Sequence, residues 1–256
     1  MKYCLNSRQE HQYLQKANEI KVEYRDKDSI PSLIEKYPNT RIILMCYFNE
    51  ILDWKEINRW NILSRNNLML CLSSVSYADD CKEHGIPFYM GYPIKTYYEL
   101  RALKELGVSY IRLGEPLFFE MDTVKEFGIP IRMVPNVAYI DGLPRKDGVC
   151  GTWVRPEDLD LYEGYVEVVE FEDADLKKEQ ALYRIYAEQK NWPGDLGMII
   201  TNLNHEGLNR IIVPDFAEKR LNCGQRCQKS SNCKLCYRVL TLANPDIIRD
   251  YVETTD

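Results

Sequence analysis

Four cysteines stand within fourteen residues late in the chain, Cys223, Cys227, Cys233 and Cys236, separated by three, five and two residues. Thiolates are soft ligands, and four of them complete the shell of a zinc ion or an iron–sulfur cluster. Two disulfides are the other use of four clustered thiols. The spacing points to a metal site at these residues and leaves open whether it takes a 4Fe–4S cluster or Zn. The same stretch is basic: Arg210, Lys219, Arg220, Arg226, Lys229, Lys234 and Arg238 face only Asp215 and Glu218 between residues 209 and 240. A basic knuckle of this kind could contact RNA or phosphate; charge compensation for the thiolates explains it almost as well.

Any such site needs a scaffold, and the pattern upstream supplies one. Short apolar runs at 20–24, 41–47, 68–72, 87–92, 110–114, 129–134, 151–154 and 165–171 alternate with amphipathic stretches. The clearest helix is expected over 96–106, where Leu100, Leu103 and Leu106 form an apolar stripe and Gly107 ends it. Strand–helix alternation implies right-handed crossovers and a parallel sheet. Eight such units fit an α/β fold of the (β/α)8, TIM-like barrel type. A doubly wound open sheet is the competing geometry, and no Gly-x-Gly-x-x-Gly follows the first run to support it. The barrel is expected over 1–190. A C-terminal Cys-rich metal-binding extension is expected over 191–256, opening at the turn-rich Asn191-Trp192-Pro193-Gly194.

A barrel places its chemistry at the C-terminal ends of the strands. That rule selects Arg25, Asp26, Asn49, Glu50, Ser73, Ser74, Tyr92, Arg112, Gly114, Glu115, Asn136, Tyr139, Arg155, Glu157, Glu170 and Glu172. Arg112 and Glu115 together could clamp an anionic substrate and position a proton donor, or could be an ion pair closing the barrel. Glu170 and Glu172 are two apart on a strand and so should share a face, as acid or base or as a solvated strand end. The catalytic candidates are therefore Arg112, Glu115 and Glu170. His84 closes a helix, where a capping role outweighs catalysis. Cys150, before the seventh run, reads as a buried thiol, with an extra ligand or a reactive thiol as the alternatives.

Two segments resemble the peptidase U32-like family. Gly107-Val108-Ser109-Tyr110-Ile111-Arg112-Leu113-Gly114 is similar to a strand of that family ending in Leu-Gly. Arg155-Pro156-Glu157-Asp158-Leu159-Asp160-Leu161 is similar to the helix that precedes its Ile-Glu-Gly-Arg strand. Here Glu170-Phe171-Glu172 replaces the Glu-Gly-Arg step, and the cysteines cluster late rather than through the barrel. The resemblance implies a barrel, a four-Cys iron–sulfur cluster and hydroxylation of RNA bases or quinone precursors; collagenase-like protease is the family's older description.

The bulk properties narrow the setting. A net charge of -6 with 45% hydrophobic and 28% charged residues argues against general nucleic-acid or membrane-surface affinity. Residues 1–10 hold no apolar run of the kind that marks a secretory signal. Nine cysteines, five of them scattered, suit a reducing compartment, so the expected location is cytoplasmic. The functional expectation is an enzyme acting on RNA or an anionic small molecule. The alternative is a non-catalytic binding or assembly protein in which a Cys4 zinc site is structural.

Overall fold

Eight strands carry the molecule: β1 Lys2–Asn6, β2 Glu19–Glu23, β3 Arg41–Cys46, β4 Leu68–Leu72, β5 Phe88–Met90, β6 Ile111–Arg112, β7 Ile131–Met133 and β8 Val166–Glu170. The structure is a computed structural model and describes residues 1–7, 11–137, 151–172, 174–194, 196–201 and 216–224. All pairings between these strands are parallel, in the order β5-β4-β3-β2-β1-β8-β7-β6. A parallel bridge between Tyr89 and Tyr110 brings the two ends of that order together, giving a nearly closed barrel. The expected (β/α)8 class holds.

Two element assignments need correcting. Residues 2–6, which precede the first of the expected runs, form β1 between β2 and β8. The run expected as a seventh strand, 151–154, is bend and coil. Its contacts are single ones, Val154 N–H to the Pro135 carbonyl at 3.0 Å and the Thr152 hydroxyl to the Val137 carbonyl at 3.2 Å, rather than a ladder. Trp153 and Val154 are buried, so the run is apolar because it packs and not because it pairs.

The chain divides into two compact units. The first comprises Met1–Arg112, Ile129–Met133 and Val166–Glu170. It holds all eight strands with α1 Ile30–Lys36, α2 Trp54–Leu63, α3 Ala78–Glu83 and α4 Tyr97–Leu106. The second comprises Leu113–Gly128, Val134–Tyr165 and Phe171–Asp256. It holds α5 Met121–Lys125, a 3-10 segment Pro156–Tyr162, α6 Leu176–Tyr183 continued by a π-turn Arg184–Gln189, and α7 Phe216–Leu221.

Local sequence explains the helices that carry the barrel. Asp53 caps α2 by accepting from the backbone N–H groups of Lys55 and Glu56, which satisfies two donors that a helix start leaves open. Thr96 and Glu99 form a reciprocal capping box at the start of α4, and Gly107 ends it at φ 77°, a left-handed conformation that glycine takes without a Cβ clash. Leu100 and Leu103 of α4 are buried. In the strands, alternation sends Ile20, Val22, Ile42, Leu44, Leu70 and Val169 to one face, all of them buried. The other face holds Cys4, Ile43, Met69, Cys71, Tyr89, Tyr110 and Val168, which form a cluster of their own.

Candidate binding site in the barrel

β2 reads Glu19-Ile20-Lys21-Val22-Glu23, and every one of its residues is buried. With Ile20 and Val22 on one face, Glu19, Lys21 and Glu23 must share the other. A charge cannot be buried there without partners, because an isolated ion in a low-dielectric interior costs many kcal/mol. The partners come from strands far away in sequence.

Glu170, at the end of β8, gathers three cations. Lys21 Nζ lies 2.9 Å from its Oε2, Arg132 Nη2 3.2 Å from Oε2, and Arg112 Nε 3.3 Å from Oε1. Tyr89 adds a phenol donor at 3.4 Å. Arg132 also reaches Glu19 Oε2 at 2.7 Å, while Arg41 reaches Glu19 Oε1 at 3.3 Å. The Arg132 guanidinium lies over the Tyr89 and Tyr110 rings, 4.5 and 5.2 Å from their centres. Arg112 donates in addition to the Gly91 carbonyl. Glu23 pairs with Arg25.

These contacts set the protonation states. Burial pushes Glu170 up, but the charges of Lys21, Arg132 and Arg112 overcome it and hold the carboxyl well below the usual carboxylate range. Burial opposes the charge of Arg132, and Tyr89 and Glu170 outweigh it, so Arg132 stays a firm cation. The Cys4 and Cys71 thiols are pushed up by burial and remain neutral. Glu170 is thus approached by three cations, one of which, Arg132, it shares with Glu19. Low-dielectric walls strengthen the field of such a cluster.

Of the residues picked from the sequence, Arg112 and Glu170 are brought together. Glu115 belongs to the second unit, where it is fully buried. Glu172 lies beyond the end of β8; its backbone N–H and carbonyl are both held by the Asn136 amide, at 3.2 and 2.7 Å. Arg155 pairs with Asp158 in the second unit. Glu50 accepts from the Tyr47 N–H at 2.7 Å, and Ser74 caps the turn that follows β4. His84 ends α3, where its side chain stacks on Trp54 at 4.9 Å and meets the Asn58 amide at 2.9 Å. Tyr139, Cys150, Cys227, Cys233 and Cys236 lie outside the described residues. Cys223 is half-buried, whereas Cys4, Cys46, Cys71 and Cys81 are buried. Among the described residues no cluster of three or more His, Cys, Asp or Glu has metal-binding geometry.

Sequence reasoning missed Lys21, Glu19 and Arg132. The available signal was a charge inside an apolar run, Ile131-Arg132-Met133, and a strand whose alternate residues are all charged.

No family model matches the chain, and no curated protein matches it in sequence. Among solved structures it is similar to phosphoribosyl anthranilate isomerase from Thermus thermophilus. That match has a TM-score of 0.47 and 12% identity, covering 74% of this chain and 100% of that one. The M276A mutant of FabK from Thermotoga maritima gives 0.38 at 13% identity, covering 77% of this chain and 56% of that one. A protein from Aquifex aeolicus VF5 gives 0.38 at 11%, covering 73% and 80%. The barrel assignment rests on the strand pairings themselves. No helix among the described residues is long and apolar enough to cross a membrane.

Proposed function

We infer that this barrel protein takes an anionic small molecule at the C-terminal ends of its strands and acts on it as an enzyme. One observation carries the reading: three buried cations, from β2, β6 and β7, converge on the single carboxylate Glu170 of β8. At an effective dielectric of 20, a unit charge about 8 Å from an anion contributes about 2 kcal/mol. In this reading Lys21 and Arg112 attract the anion. Glu170, held ionised, fixes their positions rather than moving a proton. A compact anion fits better than RNA, since the chain's net charge of -6 repels a polyanion while leaving a local field intact.

The test is calorimetric titration with inorganic phosphate and with pyrophosphate at low ionic strength. Binding is expected, with a clear loss in Arg112→Met, which removes one of the three cations. Arg112→Lys, which keeps the charge, should retain most of it. Absence of binding by either anion to the intact protein overturns the reading.

The U32-like resemblance adds a metal centre. Cys223, Cys227, Cys233 and Cys236 suit it by donor type, and the half-exposed Cys223 contrasts with the buried barrel thiols. A 4Fe–4S cluster would supply one-electron chemistry there, and zinc a closed structural shell. One observation favours the structural alternative. The residues leading into the cluster are pinned within the second unit: Gly224 N–H to the Phe119 carbonyl at 2.9 Å, and the Asn222 amide to Asp122 at 2.8 Å. Metal analysis of protein purified without oxygen decides. Iron and sulfide near four per chain with visible absorbance favour the cluster. About one zinc without colour favours the staple, and neither metal removes the site.

A further inference from the structure

We propose that the anion taken at this mouth carries a planar unsaturated ring, so that the ligand is an aryl or heteroaryl phosphate or carboxylate. The inference rests on the anion reading above and adds the chemistry of the uncharged part.

The large aromatic residues exposed among those described are Tyr47, Phe48, Tyr92 and Tyr98, at 40%, 74%, 38% and 82%. All four lie on segments that leave the C-terminal ends of two strands. Tyr47 and Phe48 follow β3 directly, Tyr92 stands two residues past β5, and Tyr98 is in the first turn of α4, the helix that β5 leads into. Exposed Ile51 and Val75 lie on the segments after β3 and β4. Rings left in water at one end of a barrel, on the segments that flank the one after β4, mark a place where something apolar and flat is received.

The loops are built rather than slack. Glu50 accepts from the Tyr47 backbone N–H, and the Tyr77 hydroxyl, on the segment after β4, lies 2.6 Å from the Glu50 carbonyl and 3.1 Å from that of Phe48. Holding Phe48 in place before a ligand arrives lowers the ordering cost of binding. The aromatic rim also joins the cationic centre by a short path. Arg112 donates to the Gly91 carbonyl, and Tyr92 is the next residue. Gly91 itself is constrained: a Cβ there would stand 2.9 Å from the Cys71 sulfur, and its N–H is held by the Leu72 carbonyl at 2.8 Å. The strand end that carries Tyr92 is thereby drawn tight against β4. Tyr92 thus follows a residue whose carbonyl Arg112 holds, and Arg112 shares Glu170 with Lys21.

The probes are phenyl phosphate and glycerol phosphate, of like charge, titrated into the full chain. Phenyl phosphate is expected to bind about tenfold more tightly, the scale of one or two ring contacts. Phe48→Ala and Tyr92→Ala should each remove a severalfold share of that preference, with glycerol phosphate affinity as the internal reference. Equal binding of the two probes, unchanged by either substitution, overturns the inference and leaves the anion reading standing. Failure of both probes to bind overturns the two together. Concentration-dependent self-association abolished by Phe48→Ala, with phenyl phosphate affinity unchanged, would make the rim a contact between copies and likewise sink the proposal.

Discussion

Arg132 and Arg220 are equally buried, one in each unit, and they are stabilised in different ways. Arg132 sits between two carboxylates, Glu19 at 2.7 Å and Glu170 at 3.2 Å, with Tyr89 and Tyr110 below the guanidinium. Arg220 donates to the carbonyls of Trp153, at 2.6 Å, and Gly151, and lies 4.4 Å from the Trp153 ring centre, 5.2 Å from Phe119 and 5.6 Å from Phe216. In the barrel an arginine is one member of a charge network. In the second unit it is an anchor seated among rings, where its flat face and its long stem count as much as its charge. A network of charges can present a field to a ligand; a cage of rings serves to hold α7 in place.

That difference is sharpest in what deletion leaves behind. Arg132→Met takes one buried partner from each of Glu19 and Glu170, leaving Arg41 to the first and Lys21 and Arg112 to the second, which costs about 3 kcal/mol, the low end for breaking a buried pair. Arg220→Met keeps an apolar stem against the rings and leaves two carbonyls short of a donor, a loss of about 1–3 kcal/mol. Urea unfolding of the two variants against the parent should rank them in that order. Equal losses would mean that the two burials are energetically alike, and the distinction between network and anchor would fail.

Acid sharpens the comparison within the network. The carboxyl of Glu170 is held below its ordinary value of 4.5, so the stability it contributes is full above that pH. It is lost as pH falls toward the folded-state value. Glu170→Gln resembles the protonated side chain and should be destabilised at neutral pH. The gap to the parent should then narrow steadily below about pH 4.5. A gap that stays constant on acidification would show that Glu170 is not the ionised centre of the network.

The sequence disclosed the barrel because period and count survive local errors. Seven of the eight expected strands lie on observed ones that alternate with helices, and the run at 151–154 was replaced by β1 without changing the total of eight. β1 went unread because only Cys4 and Leu5 of its five residues are fully buried, while Lys2 and Asn6 at its ends look like a polar lead-in. The run at 165–171 reads as β8 for the opposite reason, with three valines and a buried end. Arg112 and Glu170 were found by a positional rule, since both end strands. Arg132 sits mid-strand opposite a register shift, where β7 pairs Ile131 with Val166 and then Arg132 with Val168. No single-strand pattern reveals such a shift. Lys21 and Glu19 were hidden because alternating charge ordinarily marks a strand's wet face; here that face points into the barrel and is neutralised by residues more than a hundred positions away. Charge pairing across distant strands is a property of closure, and closure is not written in any one segment.

The smallest expected effects come from helix starts, and they provide the scale for the others. Thr96 caps α4 in the first unit, its hydroxyl accepting from Glu99 N–H at 3.2 Å, while Glu99 accepts from the Thr96 N–H at 2.9 Å. Asp175 caps α6 in the second, accepting from Lys178 N–H at 2.8 Å. Thr96→Ala removes one half of its box and leaves the Glu99 half able to form, for a loss of about 0.5–1 kcal/mol. Asp175→Ala removes both the acceptor and a negative charge at the positive end of the helix dipole, for a loss of about 1–1.5 kcal/mol. Urea midpoints of the two variants, measured beside Arg132→Met and Arg220→Met, test whether burial or capping dominates in each unit. If Asp175→Ala matched Arg220→Met, the second unit would be held by its helix ends as much as by its aromatic cage, and Arg220 would lose its claim to be the anchor.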